Sequence, residues 1–374
     1  MHAAAAIIGR YPGLQVSKKV MVKDIVIVGG GSAGWMTAAA LANQLKGVNI
    51  SLIESSDIPI IGVGESTIVP MVDYMRNLGL EEADWMPHVN ATYKSAIRFN
   101  DFYEKGHGYF YTFEPMQQVE GRPINRYWQN HYLSDPANVD RMSFYDYCFV
   151  TPDVLNRGGT IRSLMPAGPS YHVDAGLLGD FLAKYSLERG VTRIIDTITG
   201  VELNEHGGIG TLHREGGESI TADLFVDCTG FSSMLLGKTL EEPFEEYYDY
   251  LFNTHAVALR FPYESPEKEM ISYTNCTAQS AGWIWEVPLF SRRGSGYVYC
   301  DRYISSDEAE AEFRRHLGEE RVKDLDARHI KIRVGKHERV WAKNCVAIGL
   351  AAGFLEPLES TGLFAVQLQA LRLA

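Results

Sequence analysis

The run KDIVIVGGGSAGWMTAAALANQLKGVNISLIESS, beginning at Lys23, leaves few folds open. A short β-branched stretch, a glycine turn, an alanine-rich helical stretch and a second apolar stretch ending in an acid make one βαβ unit of the dinucleotide-binding kind. Gly29 permits the tight turn, Gly31 lets the backbone approach a pyrophosphate, and Gly34 lets the helix lie close on the strand. The helix start, at Ser32 and Ala33, offers unpaired N–H groups to a phosphate anion. Glu54 falls 20 residues beyond Gly34, where a carboxylate can accept hydrogen bonds from ribose hydroxyls.

Nicotinamide and flavin dinucleotides share this fingerprint, and later segments separate them. An amphipathic helix is expected over Ala175 to Glu188, with Leu177, Leu178, Phe181, Leu182 and Tyr185 on one face. A single alternating strand is expected over Thr192 to Leu203. ADLFVDCTG, Ala222 to Gly230, and KNCVAIGLAAG, Lys343 to Gly353, read as buried strands that return late to the first sheet. Such a pattern is that of an α/β, two-domain, FAD-binding flavoprotein monooxygenase-like fold, with a GxGxxG Rossmann-type sheet and an inserted mixed-sheet substrate unit. The expected FAD-binding part comprises 21–95, 165–235 and 338–374, the substrate-side part 96–164 and 236–337, and 1–20 an N-terminal extension whose six-residue apolar run is too short for a signal-peptide core.

A formal net charge of -12 argues against a nucleic-acid or anionic-membrane partner, both of which need a basic face. Hydrophobic residues at 45% and charged residues at 22% fit a folded globular chain. The five cysteines have no CxxC or His-rich spacing, so neither a disulfide framework nor a metal site is expected, and the reading is cytoplasmic.

GWIWEVP, Gly282 to Pro288, sets two tryptophans one residue apart; on a strand, Trp283 and Trp285 face the same way and Pro288 ends the run. Taken alone this is an aromatic pair in a core or a wall. FLEPLESTGLFAVQLQALRLA begins as a proline-containing loop and turns helical after Ser360, which puts Ser360, Thr361 and Gly362 at a helix N-terminus: an ordinary cap, or a seat for an anion. With GGGSAGWM (Gly29 to Met36), GVGEST (Gly62 to Thr67) and WMPHVNATYKSAIRF (Trp85 to Phe99), these motifs resemble those of the flavin-dependent tryptophan halogenase family in order and spacing.

The resemblance implies that Trp283 and Trp285 wall the flavin against organic molecules, so that a halide, chloride or bromide, held at Ser360, Thr361 and Gly362 is oxidised to hypohalous acid. It makes Lys94 the residue that directs this oxidant, as a haloamine or by hydrogen bonding, and Glu359 the carboxylate that assists, with Glu356 a lesser substitute. Lys94 is expected near a rough helical face of Trp85, Met86, Val89, Tyr93, Ala96 and Ile97, and a nearby carboxylate is expected to raise its pKa. By resemblance Ile198 lies near the adenine, and Leu350 and Leu363 near the flavin ring. No second dinucleotide fingerprint is seen, so reduced FAD (FADH2) would come from a separate flavin reductase. The substrate is a small electron-rich aromatic such as an indole, with no nucleic acid or membrane partner and the assembly between monomer and homodimer.

The family's tryptophan-specific members carry a histidine and a phenylalanine just after a YFY run; here, after Tyr109 to Tyr111, those positions read Thr112 and Glu114. The family continues past the position of Ala374 with a segment that lines the substrate pocket, which here is either removed or absent by nature. The rival readings are a flavin-dependent aromatic hydroxylase of the same fold and a non-catalytic flavin-fold protein that binds a partner.

Overall fold

The β-branched run Asp24–Val28 forms a strand at the centre of a six-stranded sheet, in a computed structural model that describes residues 22–57, 64–134, 144–156 and 169–374. The strand order is Thr192–Ile195, Asn49–Glu54, Asp24–Val28, Leu224–Asp227, Cys345–Ala347 and Trp341–Ala342. All neighbours run parallel except the last pair. The two late segments therefore do return to the first sheet. Chain order reverses between Asp24–Val28 and Leu224–Asp227, the place where open parallel sheets take a ligand at the strands' C-terminal ends.

One face of this sheet carries the helices Ser32–Gln44, Ala175–Leu187 and Gly362–Leu373, whose Leu41, Leu178, Leu182 and Val366 join Ile25, Ile27 and Leu52 in one core. The other face packs Val26, Val28 and Phe225 against Leu235, Leu236 and Leu212. On the Ala175–Leu187 helix the expected face narrows: Leu178, Leu182 and Tyr185 are buried, whereas Leu177 is exposed. Asp174 caps that helix, its carboxylate accepting from the N–H groups of Gly176 and Leu177.

The expected single strand over Thr192 to Leu203 is two. Thr192–Ile195 pairs parallel with Asn49–Glu54, while Ile198–Leu203 pairs antiparallel with Ile209–Arg214 in a separate hairpin. The break sits at Asp196, whose carboxylate accepts from the N–H of Thr197 and turns the chain out of the first sheet.

A seven-stranded sheet follows the order Arg328–Lys331, His255–Phe261, Arg293–Tyr299, Gly282–Pro288, Tyr273–Ala278, Ala96–Asn100 and Gly108–Thr112. It is antiparallel except where Tyr273–Ala278 meets Ala96–Asn100. Its strands alternate in the period of two: Ile284 and Tyr297 face the helix Ser306–Leu317, while Trp283, Cys276, Ile97 and Val298 face the loop that carries Phe354 and Leu358. Among the described residues no helix is long and apolar enough to cross a membrane.

Candidate active site

At the C-terminal ends of the parallel strands the chain clears space by leaving out side chains. Gly29 has φ of +111°, and a Cβ there would overlap the carbonyl of Cys228; a Cβ on Gly34 would overlap the carbonyl of Gly29. By contrast nothing lies within 4 Å of a Cβ built on Gly31, which caps the Ser32–Gln44 helix without any side-chain hydrogen bond. Turn, close packing and open approach thus fall where the sequence expects them, and they fit the pyrophosphate of FAD. Ala33 adjoins Gly349, and Ser32 Oγ donates to the carbonyl of Ala175 at 3.3 Å. Glu54 ends its strand beside Gly30, but one of its oxygens already accepts from Arg193 Nε at 2.6 Å. Leu363 is buried in the helix-side core, Leu350 is half-buried, and Ile198 packs at the edge of the second core.

Trp283 and Trp285 stand on one face of their strand with ring centres 6.1 Å apart and tilted by 60°. Trp285 pairs across the ladder with Gly296, and a Cβ at that glycine would overlap its indole. Trp283 Nε1 donates to Glu356 Oε1 at 2.9 Å, and Asn253 Nδ2 donates to Glu356 Oε2 at 3.2 Å. Burial pushes the Glu356 carboxyl above its usual range, with both hydrogen bonds pulling the other way. Glu356, weighed in the sequence as a lesser substitute for Glu359, instead ties the indole wall to the FLEPLES loop.

Lys94 does not lie on a helical face. The helix Glu82–Trp85 and a short 3₁₀ turn at Met86–His88 end at Asn90, whose φ of 55° breaks the run; Thr92–Lys94 and Ala96–Asn100 are strands. Thr92–Lys94 pairs with Ser170–Val173, which also pairs with Glu65–Ser66, and this small sheet aims the Lys94 side chain inward. Lys94 is 0% exposed. Its ammonium donates to the carbonyl of Thr67 and to Ser360 Oγ, both at 2.9 Å, and lies 5.0 Å from the centre of the Phe113 ring.

Burial lowers the Lys94 ammonium to about 7, against weaker upward pulls from Cys276 and Glu359. The carboxylate of Glu359 does pull upward as expected, but desolvation of a fully enclosed charge outweighs an acid that is itself exposed to water, so the net shift is downward. Behind Lys94, His172 is fully buried, its Nδ1 and Nε2 each 3.0 Å from the hydroxyls of Thr92 and Thr274. Burial, reinforced by the Lys94 charge, holds this imidazole well below its ordinary range, so it is neutral.

Ser360 has φ of 63°, a left-handed conformation uncommon for serine, and it directs Oγ at Lys94. The next residues open the helix Gly362–Leu373, where Thr361 provides no side-chain cap and nothing lies within 4 Å of a Cβ built on Gly362. A helix N-terminus with uncapped N–H groups therefore adjoins the lysine through one serine. Gly62 and Val63 of the GVGEST motif lie outside the described residues, as does the 1–20 extension.

Thr112 and Glu114 do not face this space. Thr112 shares its strand face with Phe110, and the Glu114 carboxylate accepts from the Val150 N–H at 2.6 Å and from Thr151 Oγ1 at 2.8 Å, capping the helix Thr151–Asn156. The aromatic ring beside Lys94 is Phe113, which sequence reasoning passed over; one residue's shift in a strand exchanges the two faces.

A family model described as tryptophan halogenase matches residues 24–374. The chain belongs to the tryptophan halogenase family. It is 40% identical to the tryptophan 6-halogenase SttH of Streptomyces toxytricini, an alignment that covers 91% of this chain and 69% of that one. It is 41% identical to the 7-chloro-L-tryptophan 6-halogenase KtzR of Kutzneria sp. (strain 744), over 91% of this chain and 70% of that one. The crystal structure of SttH superposes with a TM-score of 0.87, covering 94% of this chain and 72% of that one. The halogenase fold is thus the two-domain FAD-binding α/β fold expected from the sequence, and the chain is a flavin-dependent halogenase using FAD and halide. Neither the hydroxylase nor the non-catalytic reading is favoured.

Proposed function

We propose that Lys94 is the nitrogen that carries halogen to an electron-rich aromatic ring, an indole, in this halogenase. The observation that supports it is the enclosed amine, held between Thr67 and Ser360 and lowered to about 7, so that a large share is neutral and nucleophilic at neutral pH. Bound reduced FAD, delivered by a separate reductase, supplies with O2 the oxidation of halide to hypohalous acid. The residues proposed to hold it are Gly29, Gly31, Ser32, Ala33, Gly34 and Glu54, with Ile198, Leu350 and Leu363 around its adenine and ring ends. The division into 21–95, 165–235 and 338–374 for the flavin and 96–164 and 236–337 for the substrate belongs to the same proposal.

Trp283, pinned by Glu356, and Trp285 beside it exclude organic rings from the oxidising end, leaving room for a monatomic anion. That anion sits against the uncapped N–H groups at Ser360, Thr361 and Gly362. At the neutral amine an N–halogen bond forms as the halogen–oxygen bond breaks; the hydroxide that leaves takes the amine proton as water. The indole carbon then bonds to the halogen as the N–halogen bond breaks with its electron pair left on the Lys94 nitrogen; Glu359, which is exposed, accepts the ring proton and returns it to that nitrogen, restoring the amine.

The test is an incubation of the chain with NADH, a flavin reductase, FAD and indole, with and without bromide, read by mass spectrometry. Bromoindole formed only with bromide is expected; an oxygenated indole formed regardless of halide would overturn the reading.

A further inference from the structure

Aromatic side chains run outward from Lys94 in an unbroken series. The Phe113 ring beside the ammonium meets Tyr111 edge-on at 6.1 Å, Tyr111 meets Tyr145 at 6.4 Å, and Tyr145 stacks on Tyr109 at 5.7 Å and 14°. Tyr109 and Tyr111 alternate with Phe110 along Gly108–Thr112 and so share a face. Burial pushes the Tyr145 phenol up, with Tyr109, Tyr111 and the charge of Glu359 adding to this. Tyr111 is 38% exposed. None of these phenols has a part in the mechanism above, yet a phenol is an electron-rich aromatic of the kind this enzyme class attacks.

We propose that Tyr111 and Tyr145, backed by Tyr109, form a self-halogenation site that takes halogen when hypohalous acid is made and no indole consumes it. The proposal rests on the halogenase reading. In the step, the ring carbon next to the phenol oxygen bonds to halogen, and the halogen–oxygen bond breaks with its electron pair going to hydroxide. The displaced ring proton joins that hydroxide as water.

The chain, supplied with FAD, reductase, NADH, air and bromide but no indole, is digested and its peptides weighed. Bromine's isotope doublet is expected on Tyr111 and Tyr145 at about tenfold or more over Tyr103, Tyr250 and Tyr303. Those three are the fairer targets for a freely diffusing oxidant, being 82%, 81% and 75% exposed. Added indole should suppress the label, and Tyr111→Phe should lose its own doublet while still binding FAD and brominating indole. Labelling that follows exposure, as added hypobromite would give, overturns the proposal. So does hypobromite captured by an added dye with Tyr111 and Tyr145 unlabelled, an outcome that leaves the halogenase reading standing. If the dye captures none, the halogenase reading fails and the proposal with it.

Discussion

At the glycine loop the chain makes its site by leaving side chains out, whereas at Lys94 it commits one long charged side chain to the interior. The first region is backbone against backbone, so its tolerance is set by sterics and does not depend on pH. The second is an ammonium with no exposed surface, two hydrogen-bond acceptors and an aromatic ring, so its behaviour is set by the cost of removing charge from water. A dinucleotide can be held by backbone shape and fixed polar groups; a reactive nitrogen has to be tuned.

Four substitutions sharpen or break this contrast, in descending order of effect. Gly29→Val places a branched Cβ into the Cys228 carbonyl at a positive φ and should cost about 4 kcal/mol or more, seen as lost flavin absorbance and early thermal unfolding. Lys94→Met should lower indole bromination on the order of a thousandfold while the flavin remains bound. The same substitution should stabilise the fold, by about 2 kcal/mol near pH 6. The sign follows from a folded pKa of about 7 against an ordinary value of 10.5. Below 7 the wild type buries a full charge, and between 7 and 10.5 the unfolded chain holds the extra proton, so wild-type stability rises with pH. The advantage of Lys94→Met, read from urea midpoints, should therefore shrink across that window.

Trp285→Ala removes the ring that fills the space over Gly296 and should cost about 3 kcal/mol in unfolding experiments. It should also admit organic rings, read as oxygenated by-product. The smallest effect belongs to Glu356→Gln, about 1 kcal/mol, because an amide can still accept from Trp283. An effect at Glu356 as large as that at Lys94 would mean that the wall and the reactive nitrogen are one unit.

The glycine region was legible in the sequence because the spacing of Gly29, Gly31 and Gly34 encodes steric exclusion locally, within one βαβ unit. The helix start at Thr361 and the shared face of Trp283 and Trp285 were legible for the same reason: period and punctuation are local. The surroundings of Lys94 were not. Its strand pairs with Ser170–Val173, its hydrogen bonds reach Thr67 and Ser360, and its burial is set by Phe113, contacts between residues far apart in the chain. The segment from Trp85 to Phe99 has apolar residues at helical spacing, and only the αL residue Asn90 and the long-range pairing make it a turn and two strands. Gly296 gave a signal, a glycine inside a strand, that could have pointed to a bulky cross-strand partner.

The most direct test is a pH titration of the Lys94 side chain by NMR, with lysine labelled at Cε and the resonance assigned by its loss in Lys94→Met. A midpoint near 7 is predicted. A midpoint near 10, that of a solvated lysine, would contradict the enclosed and tuned nitrogen on which the halogen-carrying role depends.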